Sequence, residues 1–473
     1  MRLQKLGTNK YLIPRSGAMK VDVVLYLNDD LFEHFRDEES LRQLAEAASL
    51  PGLYGPVVGM PDIHAGYGLP IGGVMAMDVT EGLISAGAVG MDINCGVRLL
   101  RTELEANKLT ENHLRSLMKE IVSRVPTGIG KVSKHQQQLR GHFEDILEKG
   151  LVPLRKLGYV RDEDPFFIEE GGSFPGAKPE KISRKAYQRG NQLSTIGGGN
   201  HFIELGMVDQ VYDEQTAALF GLHTGMLSVL VHTGSRGLGH QICVDYSSVM
   251  NRAAGGYGLK LPSKGLAAVP ISSKEGKDYF AAMAAAVNFA YANRQLVTYD
   301  IRNAFSAVFR CPDAELGLET VYDLAHNIAK FEKVEEKLLL IHRKGATRAL
   351  PPGHDNNPAA YMNSGHPIII PGTMATPSYV VTANHSSVHT FYSANHGAGR
   401  VMSRRAARST ITPEMLKDQL GPVFFHGNQF QKITDEAPQA YKNINDVLDT
   451  LAEIGMVNKV ARLSPLAVIK GEE

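Results

Sequence analysis

The sequence predicts a mixed α+β fold, built as a single catalytic domain over residues 1–473. Three observations lead there. Short apolar segments punctuated by glycine, with strand character, are interspersed with amphipathic helical ones. No internal repeat and no Pro/Ser-rich linker divides the chain. The residues able to do chemistry are scattered from Asp62 to Lys470, so they can act together only if the whole chain folds around one site.

Taken in order, residues 29–49 place apolar side chains near the helical period with acids toward the start, which predicts a helix. Residues 52–103 change character and predict short strands separated by glycine turns. TENHLRSLMKEIVSR, residues 110–124, predicts an amphipathic helix that starts at Thr110 and Glu111. The stretch 126–192 is polar and rich in Gly, Pro and Lys, and is expected to be a peripheral insertion of loops and helical pieces. Strand character returns at 227–235, and the alanine-rich 278–306 predicts a long helix buried over much of its surface. Strands are expected at 337–342 and 367–371, then a helix at 444–454 and a strand over VARLSPLAVIKG.

Composition narrows the class. The chain is 43% apolar and 21% charged with a formal net charge of zero, which describes a globular protein with a large core. No apolar run approaches the about 20 residues of a membrane span. The N-terminal MRLQKLGTNKYLIPRSG is polar and broken by Pro14 and Gly17, unlike a secretory signal. A cytoplasmic, monomeric protein with no membrane partner is therefore expected. Cys95, Cys243 and Cys311 are too few for a disulfide framework, though a lone thiol can serve as a soft metal ligand. The balanced charge argues against an extended basic face for nucleic acid, leaving only local patches.

Five clusters carry candidate chemistry. Asp92-Ile93-Asn94-Cys95-Gly96 sets a carboxylate and a thiolate three apart in a glycine-flanked loop, where both can face one borderline divalent ion. By itself that spacing more often means a buried cysteine beside a turn. Gly197-Gly198-Gly199-Asn200-His201-Phe202-Ile203-Glu204 offers a backbone nest for phosphate, a metal-ligand histidine and an amide donor, or equally a plain glycine turn. In Val231-His232-Thr233-Gly234-Ser235-Arg236-Gly237 a strand delivers His232 to its end, and Arg236 offers a planar fork for phosphate. A histidine satisfied at a strand end competes with that reading.

Asp323-Leu324-Ala325-His326-Asn327 predicts a histidine in a helix, which gains weight only from its company. Asp92, Cys95, His201, His232 and His326 together supply the donors that two divalent ions sharing a thiolate need. Asn395-His396-Gly397-Ala398-Gly399-Arg400, followed by Arg404 and Arg405, sets a histidine beside a small-residue loop, where a ring nitrogen can attack phosphorus. The arginines can neutralise phosphates, or else form the solvated face of a helix start. Walker, dinucleotide-binding and lysine-nucleophile signatures are absent. The residues alone point to a metal-dependent phosphate enzyme and no further.

In order, PDIHAGYGLPIGGV, GAVGMDINCGVRLLRT, GGGNHFIE, VHTGSRGLGHQ, AHNIAK, RKGATRA, NHGAGRVMSRRAA and ARLSPLAVIKG resemble the RtcB family of tRNA-splicing and RNA-repair ligases, over about residues 55–471. The resemblance implies a β-sandwich-like core flanked by helices, with two Mn²⁺ ions in a central cleft and GTP as the nucleotide. Asp92, Cys95, His201, His232 and His326 would be the manganese ligands, with Cys95 bridging, and Asp62 and His64 would support them. Asn200 would meet nucleotide phosphate. Glu204, Ser378 and Lys470 would hold the guanine nucleotide, with Thr373, Gly397, Gly399 and Arg400 in the same site. Arg236 and Arg404 would face RNA phosphates.

His396 would carry GMP. The implied reaction opens a 2′,3′-cyclic phosphate with metal-activated water, guanylates the 3′-phosphate, and seals it to a 5′-hydroxyl with loss of GMP. Broken or intron-excised RNA ends are the implied partners, with an archease-like helper. Thr373 stands where the family pattern has serine, which implies an altered nucleotide contact, and residues 384–395 depart from the usual run. Two other readings are a metal-dependent cyclic phosphodiesterase without ligation and a noncatalytic RNA- or nucleotide-binding paralogue. The intact donor set argues against the second.

Overall fold

The computed structural model describes residues 3–426 and 430–471. Two large sheets face each other. The first has seven strands, in spatial order Gln4–Gly7, Lys10–Ile13, Val23–Tyr26, Val57–His64, Ile71–Asp78, Lys337–Lys344 and Asn327–Val334. The second has eight: Glu319–Ala325, Gly96–Arg101, Leu227–Thr233, Phe202–Val211, Val457–Lys470, Ser378–Ala383 and Ile368–Ile370 in order, with Phe424–His426 beside Val457–Lys470. Pairing within both is antiparallel, except between Val23–Tyr26 and Val57–His64 and between Phe424–His426 and Val457–Lys470. Alternate side chains such as Val58 and Met60 from the first sheet meet Ile370, Val381 and Val457 from the second, as period-two strands in a sandwich require. The helix Ile444–Ala452 adds Ile444, Leu448 and Leu451 to that layer.

The helix Lys274–Phe309 braces both sheets over its 36 residues. Ser273 caps its start by accepting from Gly276 N at 3.0 Å, and Arg310 ends it in the left-handed region at φ 57°. Its alanines combine high helix propensity with small volume, so neighbours approach on every side. Ala282, Ala285 and Phe289 share a core with Met75 and Met77 of the first sheet. Val297, Ile301 and Phe305 pack with Leu205, Val229 and Val231 of the second. No helix among the described residues is long and apolar enough to cross a membrane.

The α+β class and the sandwich are as the sequence led us to expect, with instructive differences. The run 29–49 forms two helices, Asp29–His34 and Glu38–Ala47, because Asp37 lies inside it as a second cap, accepting from Ser40 N at 3.0 Å. The 126–192 stretch is a succession of short helices and loops, from which Phe143, Ile146, Leu147 and Leu154 are buried with the long helix. The helix expected around Asp323–Asn327 does not form. Strand Glu319–Ala325 ends there, and strand Asn327–Val334 begins immediately after His326. Val321 through Ala325 are buried on both faces, which erases the alternation that marks a strand in sequence.

Charge is also buried in this core. Asp323 accepts from Arg98 Nε at 2.8 Å and from Arg294 Nε and Nη2, both at 2.8 Å. Burial alone would raise the Asp323 carboxyl, but Arg294 and Arg98 outweigh it and hold it below the usual carboxylate range. The stabilisation is therefore present at neutral pH and is lost as pH falls below that range. Asp323→Asn leaves two buried guanidinium groups short of an anion, and we expect it to lower the unfolding free energy by about 3–5 kcal/mol in urea denaturation. Wild-type stability in that variant would mean the arginines are compensated elsewhere.

Candidate active site

The metal-ligand candidates converge because strand ends and tight turns deliver them to one place. Cys95 follows a turn in which Asn94 adopts φ 54° and Cys95 N donates to Asp92 O at 2.9 Å. The Asn94 side chain donates to Val287 O on the long helix at 2.9 Å. His201 stands just before strand Phe202–Val211, and His232 near the end of Leu227–Thr233. His326 is the single residue between a strand of the second sheet and a strand of the first, and its N–H donates to Cys95 O at 2.9 Å.

The distances describe one cluster. Cys95 Sγ lies 3.3 Å from Nε2 of His201 and 3.3 Å from Nε2 of His232. The Nε2 atoms of His232 and His326 are 3.3 Å apart, and Asp92 Oδ2 is 2.8 Å from His201 Nε2. Two three-donor groups result, Cys95-His232-His326 and Asp92-Cys95-His201, each with its ligand atoms within 4.8 Å of one another. Cys95 is common to both.

Electrostatics explains what such a cluster is for. Burial holds the His232 and His326 rings well below the usual imidazole range, and it lowers His201 as well, against the pull of Asp92. Burial and the adjacent Asp92 push the Cys95 thiol up. Asp92 resists its own burial and is held down to about 2 by His201 and Arg236. Neutral rings packed Nε2 to Nε2 around a thiol make poor mutual partners but good ligands. The S, N and O donor set fits a borderline divalent ion such as Mn, Fe, Co or Zn, and two such ions can share the thiolate.

His396 arrives by another route. The strand Ser393–Asn395 pairs with Ala346–Arg348 and ends at His396. Asp62 Oδ2 accepts from His396 N at 3.0 Å, from its Nδ1 at 2.6 Å and from Gly397 N at 3.3 Å. A carboxylate on Nδ1 fixes the proton there and leaves Nε2 as the free base. The His396 ring centroid is 4.8 Å from that of His326. Gly399 is required here. A Cβ at this residue, with φ 72°, would lie 2.1 Å from Asp62 O. Lys442 Nζ donates to Pro61 O at 2.9 Å and Ile63 O at 2.6 Å, gripping the backbone on both sides of Asp62. His64 bonds Asp62 O through Nδ1 at 2.9 Å, and burial lowers its pKa to about 3.

A cleft of about 430 Å³ joins these groups, and Asp92, Cys95, His232, His326 and His396 line it. His64, Asn200, Thr373, Gly397, Gly399, Arg400, Arg404 and Lys470 face the same space. Five expected site residues stand off from its lining: His201 and Asp62, which lie behind Cys95 and His396, and Glu204, Ser378 and Arg236. Glu204 is buried in its strand, where burial raises its carboxyl to about 8. Ser378 Oγ accepts from Gly372 N at 3.1 Å and so supports the loop that carries Thr373. Arg236 donates through its guanidinium to Thr195 Oγ1 at 3.2 Å and Gly128 O at 3.3 Å, and through its amide to Asp92 Oδ1 at 3.1 Å. It secures the loop that carries Asp92, and it is not in the cleft lining.

The sequence reading did not single out Glu436, Lys344, Lys442 or Arg294. Glu436 gathers Arg400 at 3.3 Å, Arg404 at 3.6 Å and Lys470 at 3.3 Å into one cationic group. Only Lys344, within RKGATRA, lay in a motif already noted. Addition of a divalent cation is expected to raise the melting temperature of the wild type, and this shift is expected to vanish in Cys95→Ala, which takes a donor from both groups. Because the thiol must lose its proton to bind, apparent affinity is expected to rise with pH, read by calorimetry in buffers of different ionisation enthalpy. An unchanged melting shift in Cys95→Ala would refute the shared ligand.

Comparison with known proteins places the chain in a family. A family model described as "RtcB: tRNA-splicing ligase RtcB" matches residues 43–471. A protein of Archaeoglobus fulgidus named tRNA-splicing ligase RtcB is 43% identical over 479 aligned residues, covering 99% of each chain. One of the same name from Thermococcus kodakarensis is 43% identical over 485, again covering 99% of each. The protein named RNA-splicing ligase RtcB in Mycobacterium tuberculosis is 42% identical over 440 residues, spanning 91% of this chain and 100% of its own. With a family model over residues 43–471 and likeness along nearly its whole length, the chain belongs to the RtcB family.

Proposed function

We propose that the protein is a manganese- and GTP-dependent RNA ligase. It joins a 2′,3′-cyclic-phosphate or 3′-phosphate RNA end to a 5′-hydroxyl end through a guanylated His396. The observation that carries this reading is His396, held by Asp62 at 2.6 Å and lining the same cleft as Asp92, Cys95, His232 and His326, with His201 against Cys95. The names of the relatives support RNA as the substrate. Asp92, Cys95 and His201 would hold one Mn²⁺, and Cys95, His232 and His326 the other. Bound there, the ions supply Lewis-acid stabilisation of phosphate charge.

The chain's own residues do the rest. His396 Nε2 forms a bond to the α-phosphorus of GTP, and pyrophosphate leaves. The ring then carries positive charge with its proton on Nδ1, and Asp62 Oδ2 is already placed to balance it. An oxygen of the RNA 3′-phosphate takes the guanylyl group, the N–P bond breaks, and His396 is regenerated. The 5′-hydroxyl then attacks the activated 3′-phosphorus, and GMP departs. Asn200, Arg400 and Arg404 line the cleft as phosphate donors, and Lys470 and Thr373 line it on the nucleotide side. Glu204 and Ser378 support that side from behind the lining.

Incubation with α-labelled GTP and Mn²⁺ is expected to give an acid-labile adduct on the wild type and none on His396→Ala. Asp62→Asn keeps the shape but loses the anion, and is expected to slow adduct formation on the order of 10²–10⁴-fold. RNA ends carrying a 2′,3′-cyclic phosphate or a 3′-phosphate should be sealed to 5′-hydroxyl acceptors, and 3′-hydroxyl ends should not. A wild type that binds Mn²⁺ yet forms no adduct would end the ligase reading.

A further inference from the structure

The cleft has two chemically distinct halves. One is organised around Glu436, with Arg400, Arg404 and Lys470 drawn to its carboxylate. The other is organised around Lys344, whose buried ammonium is already engaged by the carbonyls of Tyr67 and Gly87. That second half presents apolar surface instead of charge. Among the described residues, the large hydrophobic side chains that are both well exposed and in the cleft lining are Tyr67, 46% exposed, and Met91, 40% exposed.

Their mounting is rigid. Tyr67 lies between Gly66 and Gly68, and Gly68, with φ 82°, approaches so closely that a Cβ would sit 2.5 Å from Gly265 O. The Tyr67 carbonyl is tied to Lys344, and its hydroxyl donates to Lys264 O at 3.4 Å. Met91 follows Gly90, where a Cβ would sit 3.3 Å from Lys344 Cε, so one lysine lies against the backbone that carries both side chains. A ring pinned at both ends with an open face is a stacking platform that loses little conformational entropy when a base lands on it. The residue after Lys344 borders His396. A Cβ on Gly345 would lie 2.3 Å from Ile71 Cγ2 and 3.1 Å from His396 Cε1.

We propose that Tyr67, flanked by Met91, is the subsite for the nucleobase of the RNA nucleotide that bears the reacting 3′-phosphate. This rests on the ligase reading above, in which that phosphate meets His396 and guanine lies toward Lys470. With the tyrosine hydroxyl and carbonyl engaged, the platform stacks any base and reads none by hydrogen bonding.

The test compares single-stranded RNA ending in an ordinary 3′-phosphorylated nucleotide with the same RNA ending in a 3′-phosphorylated abasic ribose. Binding is read by fluorescence anisotropy with the Mn²⁺-loaded protein. The wild type is expected to bind the base-bearing end roughly ten- to hundredfold more tightly. Tyr67→Ala and the milder Tyr67→Leu should bind both ends alike, at the affinity the wild type shows for the abasic end. Tyr67→Phe should retain the preference. A wild type indifferent to the missing base overturns the proposal without any variant. So does an undiminished preference in Tyr67→Ala or Tyr67→Leu, or a rise confined to the KM for GTP, which would assign the ring to guanine. Failure of the wild type to bind any 3′-phosphorylated RNA would instead strike the ligase reading itself.

Discussion

The site depends on one buried guanidinium. Arg294 spends its donors on three residues from different parts of the chain. It pairs with Asp323, and its Nη1 donates at 2.9 Å both to Asn94 O, beside Cys95, and to Thr233 O, beside His232. Its neighbour Asn293 donates to Thr195 O at 3.2 Å and Gly234 O at 3.1 Å, and accepts from Thr195 N at 3.1 Å. Two adjacent residues of one helix thus fix the loops that deliver the metal-ligand candidates Asp92, Cys95, His201, His232 and His326. Such a group is costly to desolvate, and replacing it with apolar packing is often neutral or stabilising. What it gives here is direction, because a fork of fixed geometry accepts only one arrangement of the loops around it.

The chemistry is distributed over both sheets. The ligand loops belong mainly to the second sheet, whereas Asp62 lies in a strand of the first, and His396 follows a short strand paired with Ala346–Arg348. His396 and the donor cluster therefore stay in register only while the sandwich is closed. Local charge also answers the objection raised by zero net charge. Arg400, Arg404 and Lys470 are concentrated by Glu436 at one edge of the cleft, so phosphate meets positive potential there although the molecule as a whole has none to offer.

Much of this was legible in the sequence, for physical reasons. Glycine-flanked Asp, Cys and His are visible because close approach and left-handed turns need particular residues, as at Asn94 and Gly399. The long alanine-rich helix announced itself by composition, though its cap at Ser273 and its end at Arg310 did not. His326 was expected in a helix because a strand buried on both faces has no alternation to read. Arg294 was illegible for a similar reason, since nothing local marks an arginine in a buried helix as the partner of loops some 60 to 200 residues away. Arg236 was read as a fork for phosphate, and what no local pattern revealed is that its guanidinium donates to Thr195 and Gly128 and its amide to Asp92.

The position of His326 sets a further condition on the molecule. As the one residue at which the chain leaves one sheet and enters the other, it makes the angle between the sheets and the spacing of the ligands a single mechanical coordinate. Twist or splay introduced anywhere in the sandwich must pass through that joint, and a packed core does not absorb it gradually. Damage far from the cleft would accordingly register first as altered spacing among the donors of the cluster, with the fold still standing.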